Sequence, residues 1–253
     1  MGDSSMGEML LYGCGGFCLL IALLLFVNER SERHKLKLIL QDPPATPQEV
    51  ITLHERLQSL LDKDEFGTPM EFSGVLEIES GLTAPVTQQT CAYYYCEVTR
   101  VYLESESREE KVVWQRDDHQ NFYLRGEEGR VCFRLPEDAS FLRDVATETY
   151  QKTFQEEKPD LPFSDVGEPG EPVGYEIEEH ALIAGTRLYV YAEALVEQGE
   201  VVLIPPSDGA DLILTTQTKR EVINGFKETI KVGKWLNPSL VVIGAALIFW
   251  GWW

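Results

Sequence analysis

The sequence predicts a mainly β domain with flanking helices (α+β), an antiparallel barrel or sandwich held between two transmembrane helices. Three observations predict it. Residues 10–27 and 235–253 carry no charge. Each run is about long enough to cross a hydrocarbon core of roughly 30 Å at about 1.5 Å per helical residue. Between them, from Glu71 on, apolar residues recur mainly with period two, punctuated by Gly- and Pro-containing turns.

The chain divides accordingly. Residues 10–27 are the first span, 38–218 the soluble domain, 219–234 a basic juxtamembrane helix and 235–253 the second span. The first span opens with Gly13, Gly15 and Gly16, and the second contains Gly244, Ala245 and Ala246. Small residues let helices approach closely in lipid. They suit packing of one span on the other, or a homo-oligomer formed through the spans. The acidic start, and Asn28-Glu29-Arg30 after the apolar run, do not fit a cleaved signal peptide.

The formal charge of −20 is unevenly distributed. Residues 1–37 hold four acids and four bases, and 219–234 holds five bases and two acids, which leaves −23 for residues 38–218. An acidic body repels phosphate backbones, so nucleic acid is not an expected partner. Membrane lipids and a protein partner, a basic one on charge grounds, are. The flanking bases are Arg30, Arg33, Lys35 and Lys37 after the first span, and Lys219, Arg220, Lys227, Lys231 and Lys234 before the second. By the positive-inside rule they predict a two-span integral membrane protein with a cytoplasmic domain and both termini outside.

Within the domain, Thr46 caps a helix over 46–62. Pro47 stands in its first turn and Glu49 three residues after the cap, and Val50, Leu53, Leu57, Leu60 and Leu61 follow at helical spacing. Phe72, Gly74, Leu76 and Ile78 then share one face of a strand. Residues 81–89 form a loop containing Pro85, and 93–103 a long strand. Residues 111–115 and 122–125 are shorter strands. A hairpin turn at 126–129 leads to the alternation of Val131, Phe133 and Leu135. Residues 144–172 form an acidic loop, with a short helix near Tyr150. Strands resume at 174–178, 187–194, 200–204 and 211–215, with turns at 184–186 and 205–209. Whether the two β runs share a core is open at this level.

Candidates for chemistry are few, and no catalytic residue, cofactor or metal site is expected. There is no phosphate-binding glycine loop and no His-Glu-x-x-His. His34, His54, His119 and His180 are scattered. Cys91 and Cys96 are five apart, which on one extended strand places them on opposite faces. Asp117-Asp118-His119 reads as a polar turn. Tyr93-Tyr94-Tyr95 alternates faces, so its outer rings are either packed or a partner-contact patch.

The order of short motifs resembles the GIDE domain, also called the BAM ("beside a membrane") domain. The residues concerned are Phe72-Ser73-Gly74-Val75-Leu76, Leu82-Thr83-Ala84-Pro85 and Cys91-Ala92-Tyr93-Tyr94-Tyr95. Gly174-Tyr175-Glu176-Ile177-Glu178-Glu179 and Ala184-Gly185-Thr186 follow, the latter running on to Glu193. The resemblance makes Pro85, Cys91, Tyr93, Tyr94, Tyr95, Gly174 and Gly185 family-motif or partner-contact positions. In organellar ligases of this kind the domain lies between two spans, faces the intermembrane space and is followed by a zinc-binding RING. The resemblance therefore implies a link to protein ubiquitination. No cysteine follows Cys132, so no RING ligand carries over, and the basic collars fit a prokaryotic relative. The expected function is a membrane-anchored interaction, scaffold or sensor module. The alternatives are a membrane-perturbing effector acting through oligomerised spans and a ligase-like enzyme.

Overall fold

The computed structural model describes residues 3–41, 46–61, 67–104, 107–127, 129–146, 151–162, 171–206 and 212–252. The chain forms two compact units. One holds both terminal segments, up to Pro43 and from Gln217, and the other runs Pro44–Thr216.

The first unit is a pair of long helices, α1 (Asp3–Leu40) and α4 (Lys219–Gly251). Both are long and apolar enough to cross a membrane, and only 11% and 17% of their apolar windows are buried. A helix in a soluble core would be mostly covered, so this exposure favours lipid as the solvent. Each helix continues through its basic flank without a break. α4 starts from a capping box, in which the Thr218 hydroxyl and the Glu221 backbone and carboxylate satisfy one another. The helices meet through glycine. A Cβ on Gly15 would stand 2.9 Å from the Gly244 carbonyl oxygen, and one on Gly244 would stand 3.0 Å from that of Gly15. A Cβ on Gly13 or Gly16 would instead stand in open space.

In the second unit, α2 (Pro47–Leu61) begins with the capping box that Thr46 and Glu49 announce. Val50 is fully buried in the core and Ile51 packs against it. The strands are β1 (Thr68–Glu77), β2 (Leu82–Thr83), β3 (Thr90–Glu104), β4 (Ser107–His119), β5 (Phe122–Gly126) and β6 (Gly129–Phe133). After the short α3 (Leu142–Val145) come β7 (Gln151–Gln155), β8 (Glu171–Ile183), β9 (Arg187–Glu197), β10 (Glu200–Ile204) and β11 (Ile213–Thr215).

Six strands form one sheet in the order β1-β5-β6-β10-β9-β11. It closes like a barrel because β1 pairs with β9 as well as β5. Closure brings backbones together: a Cβ on Gly74 would sit 3.0 Å from the Arg125 carbonyl. The second sheet runs β2-β3-β8-β7, with β4 also paired to β3. Both β runs contribute to one core, since Met70, Phe72, Phe122, Phe133, Leu182, Leu188 and Leu203 belong to a single buried cluster. A smaller cluster with Tyr94, Val98, Tyr175 and Ile177 lies on the second sheet.

Several expectations change. The domain is not purely antiparallel, because β10 runs parallel to β6. The acidic stretch 144–172 contains the strand β7, paired with β8 along Gln151–Gln155. The helix near Tyr150 and the tip of the 205–209 turn fall outside the described residues. Asp117-Asp118-His119 is strand, not turn. It pairs with the three tyrosines of β3, so cross-strand hydrogen bonding overrides its turn composition.

Candidate functional site

Positions singled out in the sequence fall at the start of β3, in the loop before it, in β8 (Gly174), at the β8–β9 turn (Gly185) and on the helix pair. At the start of β3, Tyr93, Tyr94 and Tyr95 are all buried. Tyr93 and Tyr95 join the large cluster and Tyr94 the small one. The alternation is real, but both faces are covered, and the rings offer no outer patch. Cys91 and Cys96 share the small cluster, contrary to their odd spacing. The cause is a bulge: Cys91 pairs with Ile183 and Tyr93 with Leu182, so Ala92 is an extra residue that switches the strand's phase. Burial pushes the Cys91 thiol up to about 11 and the Cys96 thiol up to about 12, with the Glu179 carboxylate adding to both. Buried, protonated thiols are inert.

Glu179 organises the loop that carries Pro85. Its side chain is buried. It accepts from the Val86 N–H at 2.6 Å, the Thr87 N–H at 3.0 Å and the Thr87 hydroxyl at 2.6 Å. A carboxylate taking two backbone N–H groups and a hydroxyl is a strong, charge-assisted anchor. The loop closes with Gln88 at φ 56° and its amide donating to the Pro85 carbonyl at 2.7 Å. Gly185, at φ 89°, makes the β8–β9 turn, and its N–H donates to the Leu76 carbonyl at 2.9 Å. That positive φ gives its glycine identity a physical reason.

Further along β3 lies a polar group that the sequence does not reveal. The Tyr95 hydroxyl donates to Glu97, and the Arg143 guanidinium stacks over the Tyr95 ring at 3.9 Å. Arg143 pairs with Glu178 at 3.2 Å, and His180 Nε2 lies 2.7 Å from the same carboxylate. Burial and the bond to Glu97 raise the Tyr95 phenol well above its ordinary range. Burial pushes Glu178 up, but bonds from His180 and Arg143 outweigh it and hold its carboxyl below the usual value. The group is an interlinked ion pair and hydrogen-bond set rather than an activated nucleophile.

Next to it the second sheet carries exposed apolar residues. Among the described residues of 46–216, the large apolar side chains left exposed are Leu103, Val112, Phe154 and Val173. Register aligns three of them on one face. Val112 pairs with Thr99, Thr99 with Glu176, and Glu176 with Phe154, in a row across four strands, while Leu103 lies two pairs from Val101 on the same side. The Phe154 ring covers Gly174, where no Cβ fits, which explains that motif glycine. Arg108 bridges to Glu176 at 2.9 Å on this face. The surrounding acids are Glu97, Glu110, Glu176 and Glu178.

On the helix pair, Glu29 of α1 receives the Arg33 guanidinium and the Asn237 amide of α4, the latter at 3.0 Å. Gly233 leaves room for the carboxylate. Of the flanking cations, Arg33, Lys37, Lys227, Lys231 and Lys234 line one groove, and Lys35 pairs with Glu32 at 3.8 Å. Arg30, Lys219 and Arg220 are not part of that lining. Neither Glu29 nor Asn237 stands out in the sequence, because a single acid or amide at a span edge has no periodic signature.

Among the described residues no group of three or more His, Cys, Asp or Glu is placed to hold a metal ion. No curated protein and no solved structure matches the chain. The family model GIDE, described as "E3 Ubiquitin ligase", matches residues 93–249, from the tyrosine run of β3 into the last helix. That is more than half of the chain. With the two apolar helices it fits a membrane-associated protein, and the chain belongs to the GIDE family.

Proposed function

We propose that the chain is a membrane-anchored docking module, a scaffold or sensor whose domain binds a protein partner at the apolar end of its second sheet. The observation that supports this is the gathering of Leu103, Val112, Phe154 and Val173, the exposed large apolar side chains of the domain's described residues, on one stretch of sheet. Scattered exposed apolar residues need no explanation, but several on one face of a sheet among polar neighbours are a feature of interaction surfaces. The acids around it, in a domain segment with a net charge of −23, select a partner with basic residues beside an apolar anchor.

The test is crosslinking in native membranes with a photoreactive residue placed at Val112 of the full chain. A discrete adduct is expected, and it should disappear when Leu103→Ser and Phe154→Ser are combined. An adduct of unchanged yield in that double variant, or no adduct at all, overturns the reading.

One observation favours a second reading, a membrane-perturbing effector acting through oligomerised spans. Gly13 and Gly16 have open space beside them, unlike Gly15 and Gly244, and so remain available to another helix. Dye leakage from vesicles containing the full chain, abolished by Gly13→Leu with Gly16→Leu, would support it. Tight vesicles would oppose it. A transfer assay with purified chain and charged conjugating enzyme tests the activity named in the family description.

A further inference from the structure

The cations flanking the spans do not surround the helices evenly. Arg33 and Lys37 of α1 and Lys227, Lys231 and Lys234 of α4 line one groove of about 550 Å³ between the helices, and among the described residues no carboxylate lines it. Spacings of four on α1, and of four and three on α4, put each set on one helical face. Leu36, Leu40 and Ile230 supply apolar surface in the same groove. The nearby acids are directed elsewhere. Glu29 and Glu228 line a separate groove, and Glu32 pairs with Lys35. Since Glu29 already engages Arg33, the four lysines carry most of the uncompensated charge.

We propose that this groove holds the phosphate headgroup of an anionic phospholipid. Position, charge and lining agree. Lys234 immediately precedes the uncharged residues 235–253, and Arg33 stands six residues, about 9 Å of helix, beyond residue 27. The headgroup layer adds roughly 5–8 Å to each side of the hydrocarbon core, and long lysine side chains reach back toward it. A phosphate there meets several ammonium groups at once. Ile230, five residues before the uncharged run, gives the site an apolar flank within the headgroup layer. Basic pockets between membrane helices are a recurrent way to select anionic lipids. The groove differs from a diffuse basic collar in that it predicts which cations matter.

The experiment uses the full chain, purified from phosphatidylcholine nanodiscs doped with phosphatidylglycerol, with retained lipid measured by native mass spectrometry. Two variants remove the same charge. Lys37→Gln with Lys231→Gln changes the groove, and Arg30→Gln with Arg220→Gln changes the collar outside it. The groove pair should lower phosphatidylglycerol retention about tenfold or more, and the collar pair less than about twofold. Lys37→Arg with Lys231→Arg should retain the lipid, which separates lost charge from misfolding. Equal losses in the two Gln variants, or loss in neither, overturn the proposal. So does glycerol phosphate displacing the lipid as effectively as phosphatidylglycerol, which would make the ligand a soluble phosphate.

Discussion

The two ends of β3 obey the same alternation and meet different fates. At the start, Tyr93 and Tyr95 enter the large cluster while Tyr94 and Cys96 enter the small one, so both faces are covered. Near the finish, the face that carried Tyr95 passes through Thr99 and ends at Leu103, which is 50% exposed. Glu97 and Thr99 interrupt the apolar run on that face, Val101 is still fully buried on it, and only its last apolar position, Leu103, emerges. Period two reports which side a residue occupies, and the supporting layer decides whether that side is buried. Exposed apolar surface on a continuing strand is where a further layer could be supplied by another protein.

The largest expected effect breaks the covered side of this comparison. Phe122 is fully buried and stacks on Phe133, with ring centroids 5.2 Å apart and planes 7° from parallel. Phe122→Ala removes both the transfer free energy and the packing around it, so it should cost about 3–5 kcal/mol. Phe154→Ala, the same chemical change at the exposed end, should cost less than about 1 kcal/mol because that ring is 49% exposed. Thermal denaturation of the full chain in detergent, followed by β-sheet circular dichroism, measures both. Similar costs for the two variants would mean that the exposed end is covered in the intact protein.

Glu179 sharpens the contrast between a structural and a docking carboxylate. Glu179→Gln keeps the shape but removes the charge and turns an amide N–H₂ toward the donors of Val86 and Thr87. A loss of about 2–3 kcal/mol is expected, near the upper range for hydrogen bonds to a charged group. Amide hydrogen exchange should accelerate first at Val86 and Thr87, since their donors lose their acceptor. Uniform acceleration across all strands would show that the carboxylate supports the whole domain rather than this loop.

How much of this was legible in the sequence follows from the same physics. α2 was read almost to its ends because capping and helical spacing are local signals, and Thr46 and Glu49 sit where the pattern puts them. Strand identity in β1, β3, β5, β6, β9 and β10 was legible from alternation. β4 was read too short because its Arg, Glu and Asp residues mimic a turn. Only the pairing with β3 makes it strand. β7 was missed for a related reason, since five residues in an acidic stretch become a strand through β8. The shared face of Cys91 and Cys96 depends on one bulged residue, Ala92, and spacing alone cannot report it. The basic flanks were visible as charges, while their convergence on one groove required the angular phase of two helices.

The smallest expected effect lies in the polar group beside the exposed end. Glu178 has its carboxyl held below the ordinary value of 4.5, because bonds from His180 and Arg143 outweigh the upward push of burial. A lowered folded-state value means that the unfolded chain binds the proton more readily. The group's stabilisation is therefore fully present above about pH 4.5 and declines as the pH falls through the folded value. Glu178 is partly exposed and Arg143 more so, so solvent screening limits the effect to under about 1 kcal/mol. Glu178→Gln should thus lower stability slightly near neutral pH and flatten the loss on acidification. Denaturation midpoints of wild type and variant should converge as the pH falls below 4.5. A gap that widens on acidification would place the proton on the folded state and reverse the sign, leaving His180 and Arg143 unable to account for the carboxylate's behaviour.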